Sequence, residues 1–575
     1  MSDSIKLADY LFVRLRQLGV QSVFGVPGDY NLRLLDFVVP AGLHWVGNCN
    51  ELNAAYAADG YARLNGLSAL ITTFGVGELS AANGIAGAYA ERSAVVHIVG
   101  TPPRPLASSR ALMHHTFNDG EYRRFAAMSI HITVAQTNLT DAVTTPEKID
   151  WILQQALIHN RPVYLEVPDD MGDVLVSSQN LKTPIQVPAV PSPLHEPKVI
   201  DRILERVYSA QRPLIFVDGE SRALGIIEQV EALIKATNWP TWTSVYGKGL
   251  INEQLPNVYG LYAAAFGDKP AQEYFESADL ILTFGPHYSD TNSYFSTTVP
   301  KAAAAITFKD TTVELDNEIH RDMSPKKILQ HLLQTLDSTR LAKPDGPAKQ
   351  VVTTDDIKAT DALAQNNFFR LVNPLLAEGD TVLAETGTAA YGGRSFKLPP
   401  QSRFFSAVTW LSIGYMLPAT LGVALAKRDQ TKTSSSSSRK SQTVLIIGDG
   451  SLQMTAQEIS VMIKEKLDIV IFIINNEGYT IERVIHGRKQ PYNDVPFWRH
   501  TEALRYFGAD EEHIAQNTFA ARTCGELQEV LKNEKLRSGS GVRLVEVMME
   551  REDVQGPLLY LLNRQIAEEQ QEQGK

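Results

Sequence analysis

Two short apolar runs, each closed by polar residues, constrain the fold of this chain more than any other feature. Thr443 to Ile447 ends in Gly448-Asp449-Gly450-Ser451, and Ile469 to Ile474 ends in Asn475-Asn476. Uninterrupted apolar runs of this kind read as strands buried on both faces of a parallel sheet. Gln453 to Lys466, between them, carries apolar residues at helical spacing, which makes a βαβ unit. Ligands of such sheets sit outside the carboxyl ends of the strands. There a carboxylate, an amide oxygen and loop carbonyls can hold a hard cation such as Mg²⁺. The glycines let backbone approach a diphosphate, and Ser451 with the helix start supplies donors. Asp-Gly alone is an ordinary turn and Asn-Asn an ordinary loop; one at each strand end, a helix apart, points to a metal–diphosphate site.

At 575 residues the chain exceeds one core, and a length prior suggests three or four domains. A composition of 44% hydrophobic and 21% charged residues is that of a globular protein. The net charge of −11 argues against general affinity for nucleic acid or anionic membrane, so an anionic substrate needs a locally built pocket. Cys49 and Cys524 are too few for a disulfide framework. The first ten residues carry Asp3, Lys6 and Asp9 and no signal-peptide core, so a cytoplasmic location is expected.

Pro184 to Pro197, with five prolines, and Lys343 to Lys349 read as exposed linkers. Before the first, runs such as Ala69 to Thr73 and Ala94 to Val99 alternate with helical stretches such as Leu52 to Arg63. The rhythm returns between the linkers at Pro213 to Val217, Leu280 to Phe284 and Ala304 to Phe308, and after them at Thr381 to Ala384 and Arg543 to Val547. The expected fold class is therefore α/β, with three doubly wound parallel-sheet domains at residues 1–183, 198–342 and 355–575. The polar run 431–440 reads as a disordered surface loop, and the tail from Glu568 onward as frayed.

Gly25-Val-Pro-Gly-Asp29 follows a short strand, and Asp29 alone reads as a helix cap. Glu51 lies near the start of an Ala-rich helix, where a carboxylate suits the helix dipole. His114-His115 reads as a solvated loop pair, although histidine is the side chain best suited to proton transfer near neutral pH. Taken together with the Gly448 to Asn476 motif and Thr480-Ile481-Glu482, these residues resemble the thiamine diphosphate-dependent 2-oxo acid decarboxylases, closest to fungal pyruvate decarboxylases. The resemblance runs over nearly the whole chain, and the paired histidines are its most specific part.

The resemblance implies a thiamine diphosphate-binding fold, with an N-terminal pyrimidine-binding domain, a middle regulatory or structural domain and a C-terminal diphosphate-binding domain. It implies non-oxidative decarboxylation of a 2-oxo acid through a cofactor-bound carbanion and enamine. Asp449, Asn476 and the Gly478 carbonyl would hold Mg²⁺, and Gly448, Gly450, Ser451 and Thr388 would meet the diphosphate. Glu51 and the Leu411 carbonyl would meet the pyrimidine, Ile413 would bend the cofactor, and Thr386 and Ile481 would lie by the substrate. Asp29, His114, His115 and Glu482 would move protons as one coupled cluster. Glu51 and Asp449 would meet across a subunit interface, so a homodimer is the minimum and a homotetramer is expected.

Three positions depart from the family. Leu411 stands where glycine is common, Arg92 where histidine is usual, and Ser221 where a middle-domain cysteine accompanies sigmoidal kinetics, so cysteine-dependent activation is expected to be absent. Ile481 and Ile485 are β-branched and would narrow the site toward pyruvate, but a methylene is worth only about 1–3 kcal/mol of discrimination. Indolepyruvate, phenylpyruvate and branched 2-oxo acids stay open as substrates. Gly75-Val-Gly77 after a strand suggests a dinucleotide fingerprint, yet Ser80 replaces its third glycine and the acidic partner is missing. A non-enzymatic scaffold would not need these carboxylates and histidines together with a metal motif.

Overall fold

A computed structural model of the chain describes residues 3–349, 352–433 and 441–573. The first sheet holds Ser22–Gly25 (β1), His44–Trp45 (β2), Ser68–Thr73 (β3), Val95–Thr101 (β4), Gln136–Asn138 (β5) and Val163–Pro168 (β6). Its order is β2-β1-β3-β4-β6-β5, parallel throughout. The middle sheet holds Pro213–Val217 (β7), Thr241–Thr243 (β8), Val258–Leu261 (β9), Leu280–Phe284 (β10), Ala305–Phe308 (β11), Thr312–Leu315 (β12) and Glu318–Arg321 (β13), in the order β9-β8-β7-β10-β11-β12-β13. Its last two strands run antiparallel, a departure from the expected parallel rhythm. Asp316 and Asn317, both at positive φ (52° and 64°), make the tight turn that folds β13 back on β12.

The last sheet holds Thr381–Ala384 (β14), Arg403–Phe405 (β15), Thr443–Gly448 (β16), Ile469–Asn475 (β17), Thr518–Ala521 (β18) and Val542–Met548 (β19). Its order is β15-β14-β16-β17-β19-β18, again all parallel. β17 is buried along its whole length, as an uninterrupted apolar strand between two helical layers must be. Strand order reverses between β1 and β3 in the first sheet and between β14 and β16 in the last. Crevices for ligands open at such reversals, and Asp29, Thr386, Thr388 and Gly448 to Ser451 lie at or just after the carboxyl ends of three of these four strands.

Helix α1 (Glu51–Asn65) is followed by α2 (Val76–Ala90), and the last third contributes α3 (Thr388–Gly393), α4 (Met416–Thr433), α5 (Asp449–Thr455), α6 (Glu458–Lys464), α7 (Thr480–Ile485) and α8 (Pro557–Gln573). The stretch expected as one helix, Gln453 to Lys466, is thus two, and the first begins at Asp449 itself. α1 and α4 press together closely: a Cβ on Gly60 would lie 2.3 Å from the Ala419 carbonyl oxygen, and one on Gly422 1.9 Å from that of Ala57. Around them one buried apolar cluster draws on both outer sheets, with Phe24, Ala57 and Leu70 from the first third and Leu383, Leu421, Leu445 and Ile471 from the last. Polar joints reinforce it, among them Ser22 Oγ donating to Asp429 at 2.6 Å and His44 with Glu465 at 2.8 Å.

Three peripheral expectations fare differently. Of the polar run 431–440, the first three residues close α4, and 434–440 lie outside the described residues. The tail from Glu568 is helical through Gln573, held by Arg488 donating to Glu569 at 2.8 Å. The stretch from Lys343 lies along the middle sheet, where a Cβ on Gly346 would sit 1.9 Å from the Tyr259 hydroxyl.

Candidate active site

The carboxyl end of β16 turns straight into α5, placing Asp449 in a buried first turn. One carboxylate oxygen accepts from the Gly450 N–H at 2.8 Å and the other from the Gly478 N–H at 3.0 Å. Burial pushes this carboxyl up from its ordinary value, the two N–H donors oppose the shift, and no Lys or Arg pairs with it among the described residues. A buried, oriented carboxylate of this kind suits a divalent cation. Asn475 is drawn away, its amide donating to Glu546 at 2.7 Å, while Asn476 beside it is buried. Gly478 has φ +135°, and a Cβ there would lie 2.2 Å from the Asn493 carbonyl oxygen, so only glycine fits. Asp449, Asn475, Glu477, Trp498, His500 and Arg551 line a cavity of about 320 Å³ outside β16 and β17. His500 Nδ1 bonds Glu546 at 2.9 Å, and its buried Nε2 has no partner.

Gly448 caps α5, and Gly450 lies under Tyr479, whose ring a Cβ would approach to 2.5 Å. Ser451, buried, brings its carbonyl to 3.1 Å from where a Gly414 Cβ would stand. Across the β14–β16 crevice, Thr386 Oγ1 is buried without a hydrogen-bond partner, an orphan that a ligand oxygen can satisfy. Gly387, at φ +103°, caps α3, and a Cβ on it would lie 3.6 Å from Ile481. Thr388 opens α3 and is buried. Glu385, on the same turn, is fully buried and accepts from the N–H groups of Met416 and Thr386, both at 2.8 Å; burial pushes its carboxyl up to about 7.

Leu411 adopts φ +54°, the left-handed region where glycine is at ease. The glycine common at this position thus answers a backbone need, and leucine meets it with strain instead. Ile413 is half-buried in the loop before α4. The loop is anchored by a residue the sequence reading missed: one Glu91 oxygen accepts from the N–H groups of Val408 at 2.8 Å and Thr409 at 3.0 Å, and the other from Arg63 at 2.8 Å. An acidic residue at the end of the Gly/Ala-rich α2 was its one signal.

In the first sheet the β1–β3 crevice gathers Asp29, His114 and His115. Asp29 caps nothing, because Asn31 occupies the cap of the short helix that follows. Its carboxylate instead contacts His114 Nε2 directly, with His115 Nδ1 3.9 Å away. Tyr30 stacks on His114 with ring centroids 5.0 Å apart, and the two imidazoles meet edge-on at 4.8 Å. His115 has φ +64°, and a Cβ on Gly75 would come within 2.2 Å of its carbonyl oxygen. Glu51 is the first residue of α1, whose cap is Asn50, accepting from Asn53 N–H at 2.8 Å. Burial pushes the Glu51 carboxyl up, and its oxygen lies 3.0 Å from where a Gly77 Cβ would be. Gly75 and Gly77 therefore admit a histidine loop and a carboxylate, which disposes of the dinucleotide reading. Glu458, also missed, fixes the start of α1 from the last third, accepting from Asn48 at 2.6 Å and Asn53 at 2.9 Å while wholly buried.

Two half-sites result. Among the described residues no hydrogen bond or ion pair joins Asp29, Glu51, His114 or His115 to Asp449, Asn476 or Glu482. Glu482 is exposed on α7, and the Asp29 and His114 side chains are 48% and 55% exposed, too wet for tuned proton transfer as they stand. Ile485, 51% exposed, is not core. Ser221, in contrast, is wholly buried, its hydroxyl donating to the Phe284 carbonyl at 2.9 Å. Arg92 pairs with Asp310 at 2.9 Å and Glu220 at 3.4 Å.

Family models match all three thirds: "Thiamine pyrophosphate enzyme, N-terminal TPP binding domain" at residues 5–121, the central domain at 200–336 and the C-terminal TPP binding domain at 385–547. The chain is 50% identical over 576 residues to a pyruvate decarboxylase of Aspergillus parasiticus, covering 99% of this chain and 98% of the relative. It is 39% identical over 548 residues to pyruvate decarboxylase isozyme 1 of Saccharomyces cerevisiae, covering 95% of each. A solved benzoylformate decarboxylase from Polynucleobacter necessarius shares the fold at TM-score 0.77 and 18% identity, covering 95% of this chain and 99% of that one.

Proposed function

The chain belongs to the thiamine diphosphate-dependent 2-oxo acid decarboxylases, and we propose that its reaction is the non-oxidative decarboxylation of pyruvate to acetaldehyde and CO2. The observation that carries this reading is the Asp29–His114–His115 cluster at one sheet reversal, matched by a buried metal-type carboxylate at another. The names of the full-length relatives and the β-branched Ile481 over Gly387 favour pyruvate over larger acids.

Thiamine diphosphate, when bound, supplies the electron sink for the pair released with CO2. Asp449, Asn476 and the Gly478 carbonyl hold Mg²⁺, with Gly448, Gly450, Ser451 and Thr388 around the diphosphate. The Leu411 carbonyl and Glu51 orient the pyrimidine, and Ile413 supplies the bulk against which the cofactor rests. The raised affinity of the Glu51 carboxyl for its proton follows from burial and suits a residue that must donate a hydrogen bond to a ring nitrogen. Thr386 positions the substrate. Asp29, His114, His115 and Glu482 deliver the proton that replaces CO2 and withdraw the one lost as aldehyde leaves.

Because no hydrogen bond or ion pair links the two groups of residues among those described, the reading makes a homodimer the working unit and a homotetramer its fuller assembly. The partner then covers the exposed Asp29 and His114. Domain limits at 1–183, 198–342 and 355–575 fit three sheets of this family. No helix of the described residues is long and apolar enough to cross a membrane, and we place the enzyme in the cytoplasm. With Ser221 buried and bonded, activation through a middle-domain thiol is expected to be absent; sigmoidal initial rates abolished by a thiol-blocking reagent, with cofactor still bound, would contradict this.

The test is CO2 and aldehyde formation from pyruvate, indolepyruvate, phenylpyruvate and a branched 2-oxo acid, with and without thiamine diphosphate and Mg²⁺. Highest cofactor-dependent kcat/KM on pyruvate is expected; a larger preferred acid would overturn the substrate, and no CO2 from any would overturn the reaction. Glu482→Gln should still bind cofactor yet lose turnover, and unchanged single-turnover aldehyde release would remove Glu482 from its role.

A further inference from the structure

A cavity of about 610 Å³ lies where the edge strand β9 and the segment after it face α3 and the start of α8. Nothing in the decarboxylation uses it, and its size is that of a small-molecule site, for which about 300–1,000 Å³ is usual. Its wall carries four cations, Lys248, Lys349, Arg394 and Lys397, and two acids, Glu253 and Asp268. Glu253 is taken by Lys248 at 3.1 Å, and Asp268 caps its helix by accepting from Ala271 N–H at 3.3 Å. Among the described residues Lys349 donates to carbonyl oxygens, of Val258 at 2.7 Å and Leu255 at 3.3 Å. Burial and the charge of Lys397 hold its amine below the ordinary range.

Arg394 is the decisive residue. Its guanidinium lies 3.9 Å from the Tyr391 ring centroid and 5.3 Å from that of Tyr294, and Nη1 donates to the Tyr294 hydroxyl at 3.2 Å. Its Nε is buried without a hydrogen-bond partner, and no carboxylate pairs with it among the described residues. A guanidinium held between two rings and without a carboxylate partner suits capture of a planar anion. Opposite stand aromatic surfaces: Trp242 and Tyr259 stack at 4.7 Å, and Phe266 lies against Tyr294 at 5.9 Å. Flat rings favour a planar apolar body, and the planar fork of a guanidinium matches a carboxylate.

We propose that this cavity binds an organic monocarboxylate with a planar apolar body, its carboxylate on Arg394 and its body among the tyrosines and Trp242. The site is distinct from the catalytic crevices, but Arg394 directly follows α3, whose first residue is Thr388, and Gly556 and Pro557 of the wall lead into α8. An occupant therefore touches two elements that reach the catalytic region.

Calorimetric titration of the enzyme loaded with thiamine diphosphate and Mg²⁺ tests this, using benzoate and inorganic phosphate as probes. Benzoate should bind with a component at one site per chain that weakens at least tenfold in Arg394→Gln and in Lys349→Gln, and phosphate should not displace it. Lys349 is a side chain of the linker, so its variant keeps the test open should the arginine variant fail to fold. Benzoate heats unchanged in both variants would overturn the site. Phosphate displacing benzoate would overturn the monocarboxylate assignment. The readout is binding, so the result stands apart from whether pyruvate is turned over.

Discussion

At the scale of single residues the molecule accepts strain where the chemistry needs shape. Leu411 holds a left-handed backbone that costs a non-glycine residue about 1–3 kcal/mol. Leu411→Gly removes that strain while losing some packing, so its kcat should stay within about threefold of the parent. Leu411→Val adds β-branching and should weaken cofactor binding about tenfold, as measured by fluorescence titration. Glu78 stores a pH dependence. Wholly enclosed, it accepts from Gly75 N–H at 2.8 Å and the Tyr164 hydroxyl at 2.7 Å, and burial raises its carboxyl from 4.5 to about 7. The folded protein then keeps a proton that the unfolded chain releases, so this contribution to stability falls as pH rises from 4.5 to about 7. Glu78→Gln should flatten the fall in urea midpoint over that window; an equal slope in parent and variant would contradict it. Residues with a motif were legible in sequence: Asp449 and Asn476 stand at the strand ends read from the apolar runs, and the histidine pair stands in a loop, as read. Glu91 and Glu458 were not, because an isolated acidic residue on a helix shows no sign of the backbone amides or asparagines it will meet.

At the scale of elements, periodicity located strands to within a residue or two, since buried parallel strands are written as unbroken apolar runs. β7, β10 and β14 match their expected limits, and β16, β17 and β19 extend by one or two residues. Helix limits drifted more: Gln453 to Lys466, read as one helix, is split into α5 and α6, and α5 begins four residues earlier, at Asp449. The antiparallel end of the middle sheet was hidden because β12 and β13 are short and mostly polar, without the apolar run that marks a central strand. The α1–α4 pairing rests on two missing side chains. Gly422→Ala would drive a methyl into the Ala57 carbonyl and should cost about 1–3 kcal/mol, read as a lower thermal midpoint. Since Glu51 opens α1, kcat should fall with it, while a control such as Gly172→Ala, with open space around its Cβ, should change neither.

For the whole molecule the separation of the half-sites sets the assembly test. Glu51→Gln and Asp449→Asn should each be inactive alone. In a mixed dimer one site carries both substitutions and the other carries neither, so random mixing restores about a quarter of parental activity. No recovery after mixing and reassembly would show that each chain completes its own site. The apolar cluster shared by the first and last sheets has another consequence. What unites the outer thirds is contact, and the covalent thread through the middle third only guarantees that they meet. A chain nicked in the exposed stretch after Thr183 should thus behave as a single body, and the two pieces, made separately, carry in their facing surfaces the instructions to find each other.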